Sequence, residues 1–507
     1  MERKIETVAT ATAVPEDIEK PASRLARLVY PAALLATLSL WSIALRAPLW
    51  IDETLAYWQV SGGFAKIWSR SALMPSSFAY LYILWFAKSL FGSSEVALRV
   101  PSTLAMLAAA YLLFRTSREL FSREIALIVC ILFCVHADVI FAATDARPYA
   151  FALLMTNLAT LALVRWTARN RMHDAILFSA SAAGILYFHY LFGVILPAFA
   201  IYYLLLRGRS IRRDAGQLAA SLATFVLVAA PQATRFVELF RTRQLHTFAG
   251  EPRTWFALRT LVPFKLLVVF VASLFIAALF RKVKLPGRDC SMAVLLCPLF
   301  GLVPIAILYG MSWATPMRVF IPRYCLVAVP GAALMWGFLI SWLDSRWLRG
   351  MCCLALVVWT MILYFASPLS RKHEMSFKQA HAFVNENVAQ DKATVLACSA
   401  FIEANYEPLP ADQNSENALV SQFSYYPIDA PVVLLPYYLN DETVRIASPV
   451  VLAAAQRHQR FLAIGSPMCY PTLRWLTDYS AGAFTAQQIG NFDEIAVVEF
   501  RPVKEGE

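Results

Sequence analysis

Two adjacent carboxylates, Asp52 and Glu53, stand in the stretch LRAPLWIDETLAYW (45–58), just after an apolar run, LVYPAALLATLSLWSIAL, long enough to cross a bilayer. Charge at the mouth of a membrane helix is costly and is usually kept for a site; the plain alternative is an acidic, solvated loop. Further along, HADVIFAATDARPYA (136–150) carries Asp138 and Asp145 seven residues apart, which on a continuous helix puts both on one face. Tyr149, His189, Tyr190 and Tyr324 fall near the same expected membrane plane, and Arg235, Arg241, Arg243, Arg253, Arg318 and Arg323 gather in two connections beside it. A guanidinium fork matches phosphate oxygens, so these arginines suit a bound anion as well as lipid headgroups. Carboxylates on one side and cations on another fit a donor whose leaving group is a phosphate held at the membrane. That phosphate departs as a stable anion and needs no general acid. One carboxylate then takes the proton of an attacking hydroxyl, while arginines stabilise the charge on the leaving phosphate. Neighbouring helical residues project roughly 100° apart, so one of the two acids faces the substrate. Asp52 is assigned that place.

Such residues must be positioned by membrane helices. Of 507 residues 59% are hydrophobic and 16% charged, with mean hydropathy +0.55, which excludes an ordinary soluble domain. Eleven apolar spans are expected, at 28–45, 97–115, 124–142, 148–165, 174–190, 191–206, 216–231, 260–280, 291–310, 324–342 and 350–367. RTSRELFSRE, RWTARNRMHD, RGRSIRRD, RKVKLPGRD and DSRWLRG are short and basic, follow every second span, and so all fall on the same side as the N-terminus. The positive-inside rule then places the N-terminus in the cytoplasm, and Asp52, Glu53 and the C-terminal tail outside. The net charge of +11 is spent on these connections, which argues against a nucleic-acid partner. The polar residues to about Ser23 read as a cytosolic tail, and the first helix as a retained anchor.

The expected organisation is a cytoplasmic tail (1–27), a transmembrane domain (28–367) and an extracytoplasmic α/β domain (368–507). Within the second, the outer loop 46–95 reads as amphipathic helices at the membrane interface. In the third, SFKQAHAFVNENV has helical periodicity, ATVLACSA, RFLAIGS and EIAVVEF read as strands, and FIEANY as the start of a helix. Seven of nine cysteines lie in or beside spans, as small apolar residues. Cys398 and Cys469 belong to the exported part, where a disulfide is open to them. No cysteine or histidine grouping has zinc-ligand spacing.

W-x-DE after the first span, SSEVALRVPS before the second, DARPYA at the fourth, HYLFG, and RY before the tenth resemble, in that order, the type C membrane glycosyltransferases. The likeness, over roughly 28–340, is narrower to the bacterial branch related to protein O-mannosyltransferases and the aminoarabinose transferase of lipid A. It implies an all-α polytopic fold in a bacterial inner membrane, with the C-terminal domain periplasmic. It also implies a polyprenyl-phosphate-linked sugar donor used on the outer face, usually with inversion, and a glycan, lipid or protein as acceptor. It carries the catalytic acid to Asp52 with Glu53 beside it, substrate contacts to Asp145, Arg147 and Tyr149, and phosphate contacts to Arg323 and Tyr324. His189 and Tyr190 join the substrate contacts, and Arg318 the phosphate contacts, from the residue reading. Many relatives have a His-Pro-Pro stretch in the first outer loop where this chain has MPSSFAY around Pro75, so a role for that histidine has no counterpart. No cofactor is assigned, and a divalent metal stays open.

A transporter or flippase of lipid-linked sugars is the alternative, yet no internal repeat accompanies the helices, as many transporter folds require. A scaffold with a structural acidic pair is a third reading.

Overall fold

The computed structural model describes residues 24–73, 77–241, 251–252, 254, 264–280, 282–283, 291–366, 376–410 and 412–503. The N-terminal tail before residue 24, Pro75, Arg243 and Arg253 lie outside them. The chain divides into two compact units, Met1–Ala44 with Arg99–Ala366, and Leu45–Leu98 with Ser367–Glu507.

The first unit is helical. Eight described helices have the length and apolarity to cross a membrane: Leu28–Leu45, Glu95–Leu120, Tyr149–Arg169, Tyr190–Ser210, Ala215–Val237, Met292–Ala314, Pro322–Ile340 and Arg346–Ala366. The pair Arg123–Val135 and Ala137–Ala143, bent by 70°, makes nine if counted as one span. Met172–Phe188 and Leu267–Leu279 are apolar but shorter. Each expected segment thus overlaps a helix or the bent pair.

Lipid offers no hydrophobic drive between helices, so close backbone approach and buried hydrogen bonds do that work. A Cβ on Gly331 would come within 2.4 Å of backbone atoms of Phe300 and Gly301, so glycine is what lets these helices touch. Trp41 Nε1 donates to the carbonyl of Cys134 at 3.0 Å, and Asn157 Nδ2 to that of Ala109 at 2.9 Å.

The bent pair corrects one expectation. His136 is extended (φ −61°, ψ 131°), and its Nδ1 accepts from the backbone N–H of Asp138 at 3.3 Å. This side-chain cap starts a new helix and ends the old one. The second helix stops at Ala143, and Asp145 lies in the following turn. Asp138 and Asp145 therefore do not share the face of one continuous helix.

The second unit carries a five-stranded sheet: β1 Val395–Cys398, β2 Val432–Leu435, β3 Phe461–Gly465, β4 Phe484–Phe492 and β5 Ile495–Pro502, in the order β2-β1-β3-β5-β4. The first three are parallel, and β5 runs antiparallel to both β3 and β4. β1, β3, β5 and the helix Phe377–Val388 fall where the sequence places them, while FIEANY forms only the short turn Ile402–Asn405. The segment 45–98 folds into this unit as three helices, Ile51–Ser61, Ile67–Leu73 and Phe78–Phe91. Ile51–Ser61 is not a one-sided interfacial helix: seven of its residues are buried, and it packs against Phe78–Phe91 and Ser421–Tyr425.

Cys398, at the end of β1, is bonded to Cys469, with Cα atoms 6.2 Å apart and a sequence separation of 71. Closing a loop of that length stabilises the fold by ~4 kcal/mol in the chain-entropy account. Cys398→Ser is therefore expected to lower the unfolding midpoint of the purified protein in denaturant, and reductant to do the same to the wild type alone.

His381 is buried between the rings of Phe377 and Phe423, with Nδ1 2.6 Å from the carbonyl oxygen of Tyr426. That carbonyl can only accept, so Nδ1 carries the proton and donates. Burial pushes the imidazole pKa down to about 4, against the opposing pull of the carbonyl. The folded value lies below the unfolded one, about 6.5, so the neutral ring's contribution is whole above pH 6.5. It is lost progressively toward pH 4, by roughly 3 kcal/mol in all. Melting at stepped pH is expected to show this decline, and His381→Asn to flatten it.

Candidate functional site

In the second unit, Asp52 and Glu53 occupy the first turn of Ile51–Ser61. Acids are favoured there by the unpaired N–H groups and the positive end of the helix dipole. Their environments differ. Glu53 has no exposed surface, and its Oε2 accepts from the backbone N–H of Trp50 at 3.3 Å, closing the helix start in the manner of a capping box. Asp52 keeps part of its surface accessible. One acid secures the helix, and its neighbour stays partly accessible.

In the first unit, the turn 144–148 between Ala137–Ala143 and Tyr149–Arg169 holds Asp145, fully buried, and Arg147, half-buried. Two hydroxyls of Glu95–Leu120 fix it. Ser102 Oγ donates to the carbonyl of Arg147 at 3.2 Å, and Thr103 Oγ1 to that of Ala143 at 2.8 Å. Ser102 closes the SSEVALRVPS motif and Thr103 follows it, although that motif named neither hydroxyl as a support for this turn. Arg99, in the same motif, is fully buried, which in a membrane segment marks it as a residue with a task.

Beside that turn the rings gather. His189, extended between Met172–Phe188 and the turn that follows, lies 5.2 Å from the ring of Tyr149, 5.2 Å from Tyr324 and 5.7 Å from Tyr190, on which it stacks. Both Arg147 and Arg323 lie within electrostatic reach of the imidazole. The Arg323 guanidinium sits 5.5 Å from the centre of the Tyr324 ring. So Arg147, Tyr149, His189, Tyr190, Arg323 and Tyr324 form one cluster, with two cations in a wall of aromatic rings. It can hold a phosphate by its charge and a sugar or isoprenoid surface by its rings.

Arg318 stands apart from this cluster. Its guanidinium donates to the carbonyl of Ser312 and, at 3.4 Å, to Glu251, while Ser312 Oγ accepts from the N–H groups of Val319 and Phe320 at 2.8 and 2.7 Å. These bonds shape the 311–321 connection that leads into Arg323. Asp138 bears electrostatically on Cys325. Among the described residues no three His, Cys, Asp or Glu side chains come together as a metal-holding group.

No curated protein matches the sequence at a significant level. A family model described as dolichyl-phosphate-mannose-protein mannosyltransferase matches residues 75–233, which takes in the 144–148 turn and His189 but begins after Asp52. Among solved structures, ArnT from Cupriavidus metallidurans bound to undecaprenyl phosphate superposes with a TM-score of 0.56 at 13% identity, over 92% of this chain and 97% of that one. The chain has the type C membrane glycosyltransferase fold. The apo crystal structure of ArnT from the same organism repeats the likeness, with a TM-score of 0.53 at 14% identity and the same coverage. The five motifs that resemble type C enzymes thus sit in a type C fold, membrane helices and C-terminal sheet together.

Proposed function

We propose that this chain is a glycosyltransferase that moves a sugar from a polyprenyl-phosphate-linked donor to an acceptor hydroxyl on the outer face of a bacterial inner membrane. The observation that carries the reading is the division of roles between two neighbouring acids in a type C fold. Glu53 is buried and turned back onto Trp50, which leaves Asp52 accessible in the first turn.

Asp52 takes the proton of the acceptor hydroxyl, whose oxygen attacks the sugar carbon opposite the phosphate. The bond from that carbon to the phosphate oxygen breaks with its electron pair, and the configuration inverts. Polyprenyl phosphate and the glycosylated acceptor are the products. Arg147 and Arg323 are assigned to the donor phosphate, because the charge that develops there needs preorganised cations. Tyr149, His189, Tyr190 and Tyr324 line that part of the donor, and Asp145 holds the turn or a sugar hydroxyl. Arg318 is assigned to shaping its connection. Glycans, lipids and proteins all offer the required hydroxyl. A structural neighbour bound to undecaprenyl phosphate supports a donor of this chemistry.

The test is transfer of label from radiolabelled polyprenyl-phosphate sugars in membranes that contain the protein. Label is expected in a lipid, glycan or protein fraction and not in membranes lacking the chain. Label that crosses the bilayer still attached to its lipid would replace this reading with transport.

A further inference from the structure

We infer that Tyr426 and Glu416, far along the chain, are positioning residues for the helix that bears Asp52; the inference rests on the reading of Asp52 as the base. The segment that carries Asp52 is tied at both of its ends by one phenol. The backbone N–H of Leu49, three residues before Asp52, donates to the Tyr426 hydroxyl oxygen at 2.9 Å. That hydroxyl in turn donates to Glu95 Oε1 at 3.4 Å, and Lys378 Nζ donates to the same oxygen at 2.7 Å. Tyr425 reinforces the closure: its hydroxyl donates to the carbonyl of Ser93 at 2.7 Å, and its ring meets that of Tyr57 edge-on at 4.7 Å.

The other end of the Asp52 helix has its own tie. Arg70 is 7% exposed, and its guanidinium carbon lies 4.4 Å from the centre of the Trp58 ring. The guanidinium donates to the carbonyl of Trp58 and, at 3.0 Å, to Ser61 Oγ, so a cation caps the carbonyl end of the helix. Gly62 leaves room for it: a Cβ there would stand 2.7 Å from that guanidinium carbon. Glu416 fixes the cap from outside, with Oε2 2.6 Å from Arg70 and Oε1 2.9 Å from Lys66. The helix is therefore held near its start by Tyr426 and at its finish by Arg70 and Glu416.

Rigid placement matters because displacing a reacting group by about 1 Å can cost on the order of 100-fold in rate. Tyr426→Phe keeps the ring and deletes the hydroxyl. Measured in the full-length protein with saturating acceptor, it is expected to lower kcat about 10- to 100-fold while the donor KM stays within about twofold. Glu416→Gln is expected to lower kcat in the same direction by less, because its side chain is 62% exposed, and Glu416→Asp to recover part of the loss. Should Tyr426→Phe fail to fold, the Glu416 pair gives the same readout.

Wild-type kcat in both Tyr426→Phe and Glu416→Gln would overturn the inference while leaving Asp52 as the base. A raised acceptor KM with unchanged kcat would also overturn it, by making this region a binding surface. Undiminished transfer by Asp52→Asn would remove the base and this inference with it.

Discussion

Asp52→Asn is expected to lower kcat by about 10²- to 10⁴-fold, the range a positioned general base supplies. The substitution is nearly isosteric, keeps a polar side chain in the first turn, and leaves the Glu53 bond to Trp50 in place. Donor KM should therefore change little, because a base acts in the transition state and contributes little to ground-state binding. Glu53→Gln provides the contrast. The amide oxygen can still accept from Trp50, so kcat should fall less than about tenfold, with any larger effect appearing in stability, since an unsatisfied buried group costs about 1–3 kcal/mol. Single-turnover transfer at matched protein levels separates the two variants. Equal loss in both would make the acidic pair a structural unit; loss in Glu53→Gln alone would exchange their roles.

Arg323→Ala should reduce kcat/KM for the donor by about 10²- to 10³-fold, the loss seen when one preorganised stabiliser of developing charge is removed. Arg323 enters the helix through Ile321 and Pro322, and its guanidinium lies against Tyr324. Lysine would restore the charge but not the planar fork, so Arg323→Lys should recover only part of the rate. Arg147→Ala should act in the same direction, and the double variant should lose less than the product of the two, because both cations act electrostatically on the same imidazole. Steady-state kinetics against donor concentration decide this. An unchanged donor kcat/KM in Arg323→Ala would take the phosphate away from this cluster.

Hydropathy was enough to locate the membrane helices, including Met172–Phe188, which is apolar but falls short of a full span. The break at His136 left no such trace. It depends on a ring nitrogen capping Asp138, with neither proline nor glycine at the bend, so an unbroken pattern hid it. Individual site residues were legible as types out of place: tyrosines, a histidine and arginines at one expected level. Their grouping around His189 was legible only in outline, because ring contacts depend on how separate helices pack. Arg318 looked equivalent to Arg323 in sequence, and only the Ser312 carbonyl and Glu251 tell them apart. Strand β4, FTAQQIGNF, is an edge strand with polar residues on much of its length, and edges lack the apolar alternation that marks a half-buried strand. The ties of Tyr426 and Glu416 span more than 300 residues and leave no local signature at all.

The Leu49–Tyr426 bond joins residues 377 positions apart. During synthesis the Asp52 segment leaves the ribosome long before its partners, and every described membrane helix of the first unit except the first, Leu28–Leu45, is made in the interval. Contacts this distant in sequence form late, after the entropy of closing a very long loop has been met. The carboxylate is thus present early but framed only when residues 376–503 arrive. A nascent or truncated chain would hold its His189 cluster complete and its acid helix unfastened, so under the proposed function the finished chain, rather than the inserted one, is the first form able to react.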